Sequence, residues 1–269
     1  MTAPNRNTLW GRAIAAELAR SGVETVCVSP GSRSTPLTVA VDEHEELETI
    51  AALDERSAAY FALGRARRTG AVTPLICTSG TAAANYHPAV VEASQARVPL
   101  LVLSADRPPE LRDSGANQTI DQEKLFGDAV RWHRDLPEPA PRERALRSLR
   151  TDICRAVHTA EGTPAGPVHL NAPFRKPLEP TPVEGDVPAD LGRLAAAGRE
   201  ESTPFVGVTS GEPQLDDRDL RKLGEQLTVD RGLLVVGPAD PPGLDPEAGR
   251  ALAQSPGVPR RAEPPSGRR

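Results

Sequence analysis

The stretch that decides the fold runs from residue 27 to residue 37 and reads CVSPGSRSTPL. An apolar run is broken by Pro30 and Gly31, and hydroxyl side chains with Pro36 then stand where a helix should begin. The pattern predicts a buried strand, a sharp turn and a helix N-terminus. Arg33 lies among the hydroxyls, and a guanidinium group beside helical N–H groups suits a carboxylate or a phosphate. A capped helix with a solvated arginine explains the same residues, so this stretch alone leaves both interpretations open.

Helical and strand-like patterns alternate on both sides of this stretch. Strands are predicted at 26–28, 47–53, 74–78, 98–104 and 167–170, and helices at 9–20, 54–68, 82–96 and 142–160. Short apolar strands that alternate with helices predict an α/β fold, a doubly wound parallel sheet covered on both faces. Ligands of such sheets bind beyond the carboxyl ends of the strands. The informative residues should therefore follow each strand.

Composition and charge limit the classes of function. The 269 residues have a formal net charge of -5, with 38% hydrophobic and 26% charged residues, which gives no general reason to expect binding to nucleic acid or to an anionic membrane. No apolar run reaches the roughly 20 residues of a membrane span, and the first ten residues lack a secretory signal. Cys27, Cys77 and Cys154 are widely spaced, which favours reduced thiols. We therefore expect a cytoplasmic protein without a membrane span.

Three further segments follow predicted strands. Residues 54–64 read DERSAAYFALG, in which Glu55 has an ordinary explanation as an acid at a helix start. Residues 77–90 read CTSGTAAANYHPAV, where a small-residue turn suits either tight packing or the close approach of a flat ligand. Residues 104–122 read SADRPPELRDSGANQTIDQ, a polar loop too long for an ordinary connection. The sequence contains no dinucleotide-binding, phosphate-binding-loop or nucleophile-elbow motif and no clustered metal ligands.

Taken together, these four strand-end segments carry a specific resemblance. PGSRSTPL, DERSA, CTSGTA and ADRPPELR with ANQTIDQ resemble the pyrimidine-binding domain of thiamine diphosphate enzymes. They resemble most closely the 2-succinyl-5-enolpyruvyl-6-hydroxy-3-cyclohexene-1-carboxylate synthase family of menaquinone biosynthesis. The resemblance implies thiamine diphosphate-dependent decarboxylation of 2-oxoglutarate and addition of the resulting four-carbon carbanion to isochorismate.

The resemblance also implies roles for individual residues. Glu55 matches the family's glutamate that hydrogen-bonds the aminopyrimidine ring and activates the cofactor, and Arg33 is implied as a second catalytic residue. Two arginines suit the two carboxylates of isochorismate. The implied cofactor-binding residues are Pro30, Glu55, Thr78, Ser79 and Gly80, and the implied substrate-binding residues are Ser32, Arg33, Arg107, Asn117 and Gln118.

The far end of the sequence departs from the family pattern. Family members carry a C-terminal domain whose Gly-Asp-Gly to Asn segment binds Mg2+ and the diphosphate, and nothing in this chain matches that segment, so we expect no metal ligands here. We predict a pyrimidine-binding domain over 1–180, an incomplete second α/β domain over 181–238 and a disordered tail, rich in proline and arginine, over 239–269. The resemblance further implies a homodimer or homotetramer.

Three hypotheses stay open at this point. The first is a fragment of a synthase whose diphosphate-binding domain is missing from these residues. The second is a different thiamine diphosphate enzyme related to acetohydroxyacid synthase, against which Arg33 and Arg107 argue, because an enzyme that uses only pyruvate needs no clamp for a dicarboxylate. The third is an inactive fragment or binding module that keeps the fold.

Overall fold

The structure, a computed structural model, describes residues 3–200, 203–209, 211, 214–228, 233–236, 245–254 and 260–262. The chain divides into two compact units, Met1–Val208 and Thr209–Arg269. None of the helices in the described ranges combines the length and the apolar character that a bilayer crossing requires.

A six-stranded parallel sheet forms the centre of the first unit. Its strands are β1 (Thr25–Val28), β2 (Glu48–Ala51), β3 (Thr73–Cys77), β4 (Leu100–Asp106), β5 (Trp132–Asp135) and β6 (Pro167–Pro173). They stand in the order β2-β1-β3-β4-β6-β5, and each neighbouring pair is parallel. The helices are α1 (Arg6–Arg20), α2 (Thr35–Asp42), α3 (Glu55–Thr69), α4 (Thr81–Asn85), α5 (His87–Ala96), α6 (Glu143–Glu161) and α7 (Arg193–Ala197).

Two hydrophobic clusters cover the two faces of this sheet. Side chains of a strand point alternately to opposite faces, and in β3 the side chain of Ile76 joins one cluster while that of Leu75 joins the other. The first cluster is filled by α1, α2 and α6, with Trp10 fully buried in it, and the second by α3, α4 and α5. The predicted doubly wound parallel sheet is therefore confirmed.

Several elements differ from their predicted bounds, each for a physical reason. The helix predicted over 82–96 is two helices that break at Tyr86, whose buried hydroxyl donates to the Ile76 carbonyl at 3.0 Å. Pro88 stands in the first turn of α5, where its missing N–H does no harm. Strand β5 is absent from the prediction because its sequence, WHRD, is half-buried at the edge of the sheet and has no apolar run. Strands β4 and β6 extend beyond their predicted ends through buried polar residues.

The second unit contains the remaining described elements. These are α8 (Asp217–Leu227), β7 (Leu234–Val236), α9 (Pro246–Gln254) and β8 (Arg260–Ala262), and β7 pairs with β8 in parallel. Strand β7 lies within the incomplete second α/β domain predicted over 181–238. Within 239–269, where we predict disorder, α9 forms because the Asp245 carboxylate accepts hydrogen bonds from the N–H groups of Glu247 and Ala248. The rest of that segment, apart from β8, lies outside the described residues.

A buried ion pair ties the end of the first unit to its core. Glu17 of α1 and Arg150 of α6 are 0% and 1% exposed, and Arg150 Nη1 donates to Glu17 Oε1 at 2.7 Å. Arg150 also donates to the carbonyls of Ala195 and Ala196 at 3.0 and 2.8 Å, and Glu17 accepts from the backbone N–H of Phe205 at 2.9 Å. Burial lowers the pKa of Arg150, while Glu17 acts in the opposite direction. Residues up to about 205 thus belong to the first unit.

We expect Arg150→Met to lower the free energy of unfolding of the first unit by about 3 kcal/mol, because it removes the fully buried cation of Glu17 and leaves only the partly exposed Arg20, at 3.0 Å, to balance the carboxylate. Urea titration followed by the fluorescence of Trp10, on the same helix as Glu17, and Trp132 of β5 measures this change. The matched control is Arg147→Met, since Arg147 pairs with Glu143 on the exposed side of α6 and should contribute less than about 1 kcal/mol. Equal effects of the two substitutions would contradict the buried pair.

Candidate functional site

The loops after β1, β2, β3 and β4 all lie at the carboxyl ends of the parallel strands, which form the functional edge of the sheet. The loop after β1 touches the end of β3 there: a Cβ atom built on Gly31 would lie 2.5 Å from the Thr78 Cβ. Such a distance is shorter than any real contact, so only glycine allows this approach. The turn predicted at Pro30 and Gly31 therefore lies directly against the predicted cofactor-binding residue Thr78.

The side chain at the N-cap position of α2 does not cap the helix. Pro30 and Ser32 are exposed, and Ser32 begins a 3-10 turn, Ser32–Ser34, that leads into α2. Ser34 occupies the N-cap position, but its hydroxyl donates to the Gly31 carbonyl at 2.9 Å instead of accepting from the helix. The side-chain cap considered for this helix is thus not formed.

The turn after β3 and the long loop after β4 hold each other by two hydrogen bonds. Gln118 donates through Nε2 to the Ser79 carbonyl at 3.0 Å, and Ser79 Oγ donates to the Gln118 carbonyl at 3.0 Å. Gly80 has φ +85°, and a Cβ there would lie 2.9 Å from Gln118 Cγ. Gln118 itself has φ +54°, an uncommon conformation for a residue with a side chain. Three of the predicted site residues therefore form one contact group.

Arg33 and Arg107 lie close enough to influence each other. Arg33 is 4% exposed, and its Nη1 donates to the Phe174 carbonyl at 2.6 Å. Burial lowers the pKa of Arg33, the Arg107 cation lowers it further, and Asp106 opposes both. The Nε atoms of both arginines are buried and find no hydrogen-bond acceptor within the described residues. Arg107 Nη2 donates to the Asn117 carbonyl at 2.8 Å, which brings Asn117 to the same place.

Glu55 begins α3 and reaches the end of α4. Asp54 caps α3 by accepting from the Ser57 N–H at 2.7 Å, so the Glu55 carboxylate is not used as the cap. Asn85 Nδ2 donates to Glu55 Oε2 at 3.4 Å. Behind Glu55 lies Cys77, whose pKa is raised by burial, with a small contribution from the Glu55 charge. The structure thus gives Glu55 a partner, Asn85, that the sequence did not predict.

A buried polar layer behind the predicted residues is absent from the sequence prediction. It contains Ser104, Asp106, Gln122, His169 and Asn171, all at most 1% exposed. Their positions carried a signal, because polar residues directly continue the apolar runs of the two longest strands. Arg112, a loop residue to which the sequence assigns no role, approaches Asp106 at 3.1 Å. Among the described residues, no group of three or more His, Cys, Asp or Glu side chains could hold a metal ion.

Comparison with known proteins identifies the family. Residues 10–125, which contain every predicted site residue, match the family described as "Thiamine pyrophosphate enzyme, N-terminal TPP binding domain". The chain is 69% identical over 268 residues, 99% of its length, to the 2-succinyl-5-enolpyruvyl-6-hydroxy-3-cyclohexene-1-carboxylate synthase of Halorubrum lacusprofundi. Residues 10–125 are a thiamine pyrophosphate enzyme N-terminal domain. The family resemblance based on the four strand-end segments is confirmed.

Other similar proteins agree with this thiamine pyrophosphate enzyme assignment. The synthase of the same name from Haloquadratum walsbyi is 65% identical over 99% of the chain. The chain spans 43% of the length of each of these two relatives. A solved structure, the Rhodococcus jostii RHA1 thiamine diphosphate-dependent 4-hydroxybenzoylformate decarboxylase, matches with a TM-score of 0.70 at 18% identity, over 95% of this chain and 44% of that one. That likeness supports the fold of the thiamine pyrophosphate enzyme family.

We expect Gly31→Ala to lower the free energy of unfolding by about 1 to 3 kcal/mol, because the new methyl group would overlap Thr78. The Gly31 backbone has φ −168°, which any residue adopts, so the effect is steric. Gly64→Ala is the matched control: Gly64 is exposed in α3, and a methyl group added there would meet no atom of the described residues within 4 Å. Alanine at this helical position should stabilise by about 0.5 to 1 kcal/mol. Urea midpoints of the two variants compare these effects, and similar midpoints would contradict the close approach.

Proposed function

We propose that this domain serves a thiamine diphosphate-dependent synthase that decarboxylates 2-oxoglutarate and joins the remaining four-carbon unit to isochorismate, giving 2-succinyl-5-enolpyruvyl-6-hydroxy-3-cyclohexene-1-carboxylate for menaquinone biosynthesis. The observation that carries this proposal is the 69% identity over 99% of the chain to a synthase of that name. Since the chain spans 43% of that relative, the activity belongs to a longer protein of which these residues supply one side of the site.

Arg33 and Arg107 support the assignment of a dicarboxylate substrate. Each has a buried Nε–H that finds no acceptor within the described residues, and an unsatisfied buried donor is costly unless a ligand completes it. The two guanidinium groups are neighbours, and their mutual repulsion is relieved when an anion lies between them. Ser32, Asn117 and Gln118 border the same region and would hold the hydroxyl and carboxylate oxygens of isochorismate and 2-oxoglutarate.

The residues at this edge also fit the aminopyrimidine part of thiamine diphosphate. Gly31 and Gly80 let the turns of Pro30 and Ser79 pack directly against Thr78 and Gln118, which fixes the backbone that would face the ring. Glu55 keeps its carboxylate free of the α3 cap and would hold a proton against a ring nitrogen. Thiamine diphosphate, when bound, supplies the electron sink that decarboxylation of a 2-oxo acid needs. We assign Mg2+ and the diphosphate to residues outside this chain.

An exposed apolar surface beside Glu55 supports the proposal of a homodimer or homotetramer. Leu53, which immediately precedes the Asp54 cap, is 88% exposed, and Tyr60 and Phe61 of α3 are also exposed. Large apolar side chains grouped next to a site are typical of surfaces that another subunit covers. The buried free thiols of Cys27, Cys77 and Cys154 suit a reducing, cytoplasmic location.

In the full-length enzyme, we expect Arg33→Ala to lower kcat/KM for isochorismate by an amount equivalent to about 2 to 4 kcal/mol, because a charged hydrogen bond to a carboxylate is lost. Steady-state kinetics at limiting isochorismate measure this effect. Arg144→Ala, which removes an exposed arginine from α6, is the control and should leave kcat/KM within about twofold of wild type. A normal value for Arg33→Ala would return Arg33 to the role of a structural cation.

We expect Glu55→Gln, also in the full-length enzyme, to slow the exchange of the cofactor's C2 proton with deuterium by at least about 100-fold, since a neutral amide cannot support the proton transfer. Quenched-flow exchange read by NMR measures this rate without any substrate. Glu92→Gln on the exposed side of α5 is the matched control and should exchange at the wild-type rate. Normal exchange in Glu55→Gln would refute the assignment of Glu55 to cofactor activation.

A further inference from the structure

The buried polar layer behind the candidate site forms a hydrogen-bonded chain with a defined direction. At Asn171, Nδ2 faces the carboxylates of Asp106 and Asp135, each at 2.8 Å. Carboxylates only accept, so the NH2 group must point at them and Asn171 Oδ1 must point the other way. Asn171 Oδ1 then accepts from Ser104 Oγ at 2.9 Å and from Gln122 Nε2 at 2.9 Å. The orientation of the Asn171 amide is therefore determined by its neighbours.

Matching donors to acceptors in the same way determines the tautomers of two histidines. Ser104 has one hydroxyl proton and uses it on Asn171, so the 2.7 Å contact between Ser104 Oγ and His169 Nε2 requires a proton on His169 Nε2. His169 Nδ1 then accepts from His133 Nδ1 at 3.1 Å, and His133 Nε2 accepts from the Lys124 N–H at 3.3 Å. Burial lowers the pKa of His169 to about 3 and also lowers that of His133, so the neutral rings that this pattern needs are present at neutral pH.

Gln122 joins this chain to the candidate site. Its NH2 group donates to Asn171 Oδ1 and to the Ala105 carbonyl at 3.2 Å, which leaves Oε1 pointing toward β3. Gln122 Oε1 accepts from the Gly80 N–H at 2.8 Å, and this bond is buried. Both donors and the acceptor of Gln122 are thus used, and a flipped amide would place the NH2 group against the Gly80 N–H.

Gly80 transmits this constraint to the site. The Gly80 N–H belongs to the turn that follows β3, and the turn packs against Gln118, which is held to Ser79 by two hydrogen bonds. If Gln122 lost its acceptor, the buried Gly80 N–H would need another partner, and the turn would have to move. Gln118 and Ser79 would move with it, although neither of them contacts Gln122 in these hydrogen bonds.

We propose that Gln122 is a positioning residue for the candidate site: its amide, oriented by Asn171, fixes the Ser79–Gly80 turn and through it the side chain of Gln118. Gln122 acts through Gly80 and does not itself touch substrate or cofactor. The part of this proposal that concerns ligand binding rests on the proposed function, with a 2-oxo dicarboxylate as the ligand class.

The test uses the whole 269-residue chain and its Gln122→Ala, Gln122→Glu and Gln95→Ala variants. Amide hydrogen exchange of Gly80, measured by NMR, reports the turn directly, and exchange of Val102 in the centre of β4 reports general stability. We expect Gln122→Ala to speed Gly80 exchange by at least about tenfold relative to Val102. A glutamate at this buried position faces the Asn171 Oδ1 and Ala105 carbonyl acceptors, which favours its neutral form. Gln122→Glu then keeps an acceptor for the Gly80 N–H and one donor, so its Gly80 exchange should lie between that of Gln122→Ala and that of wild type. Gln95 is exposed on α5, and Gln95→Ala should match wild type.

A second readout separates this proposal from the proposed function. Titration with 2-oxoglutarate alone, followed by the side-chain amide signals of Gln118, gives a dissociation constant, which we expect to rise at least about tenfold in Gln122→Ala. Unchanged Gly80 exchange in Gln122→Ala would overturn the positioning role, as would an unchanged dissociation constant if wild type binds. If wild type does not bind 2-oxoglutarate, these residues alone do not suffice to hold that ligand class, while fast Gly80 exchange in Gln122→Ala still supports the positioning role.

Discussion

The buried carboxylate of Asp106 is the constraint on which the functional edge of the sheet depends. It ends β4 with no solvent contact, and a buried charge without partners would cost several kcal/mol. Burial raises its pKa against the opposing effects of its neighbours. Those neighbours are the Asn171 amide on β6, the backbone N–H of Arg107 and the Arg112 guanidinium group. Satisfying one charge therefore fixes β6 beside β4 and draws the long loop onto the edge.

The same constraint divides the arginines of this edge into two kinds. Arg112 is shared among Asp106, Asp135 and Glu123, so its charge is balanced within the protein. In the described part of the chain, Arg33 and Arg107 donate to the uncharged carbonyls of Phe174 and Asn117 and form no ion pair, although all three arginines have a buried Nε–H without an acceptor. This edge therefore carries one cation, Arg112, that carboxylates neutralise and that organises the loop. It also carries two cations, Arg33 and Arg107, that can bind an external anion. A chain with net charge -5 can in this way carry a local cluster of positive charge.

The periodic parts of the fold were predictable from the sequence, and the parts set by tertiary hydrogen bonds were not. Strands β1, β3 and β4 are apolar runs bounded by turn residues, so their existence followed from local pattern. The break at Tyr86 depends on a carbonyl of β3 that local pattern does not reveal. Strand β5 is held by pairing with β6 and not by its own residues.

The candidate site divides in the same way. Arg33, Glu55 and Gln118 stand in segments whose composition and family resemblance mark them, and the structure places them at one edge. Gln122 ends the ANQTIDQ segment but received no role there, and Asn171 lies outside the four segments, because the hydrogen bonds that make them important join Gln122 to partners 42 and 49 residues away in the sequence. Polar residues that interrupt long buried strands are the signal that could have found this layer.

The Glu17 and Arg150 pair has a consequence for where the first unit can be cut. Arg150 uses two of its N–H groups on the carbonyls of Ala195 and Ala196, and Glu17 receives the N–H of Phe205. A polypeptide that ended at residue 180 would keep all six strands of the sheet. The Glu17 and Arg150 side chains would then lose these backbone partners and be exposed between α1 and α6. The smallest part of this protein that can fold on its own is therefore longer than the sheet, because the segment that follows the sheet covers the charged groups of Glu17 and Arg150.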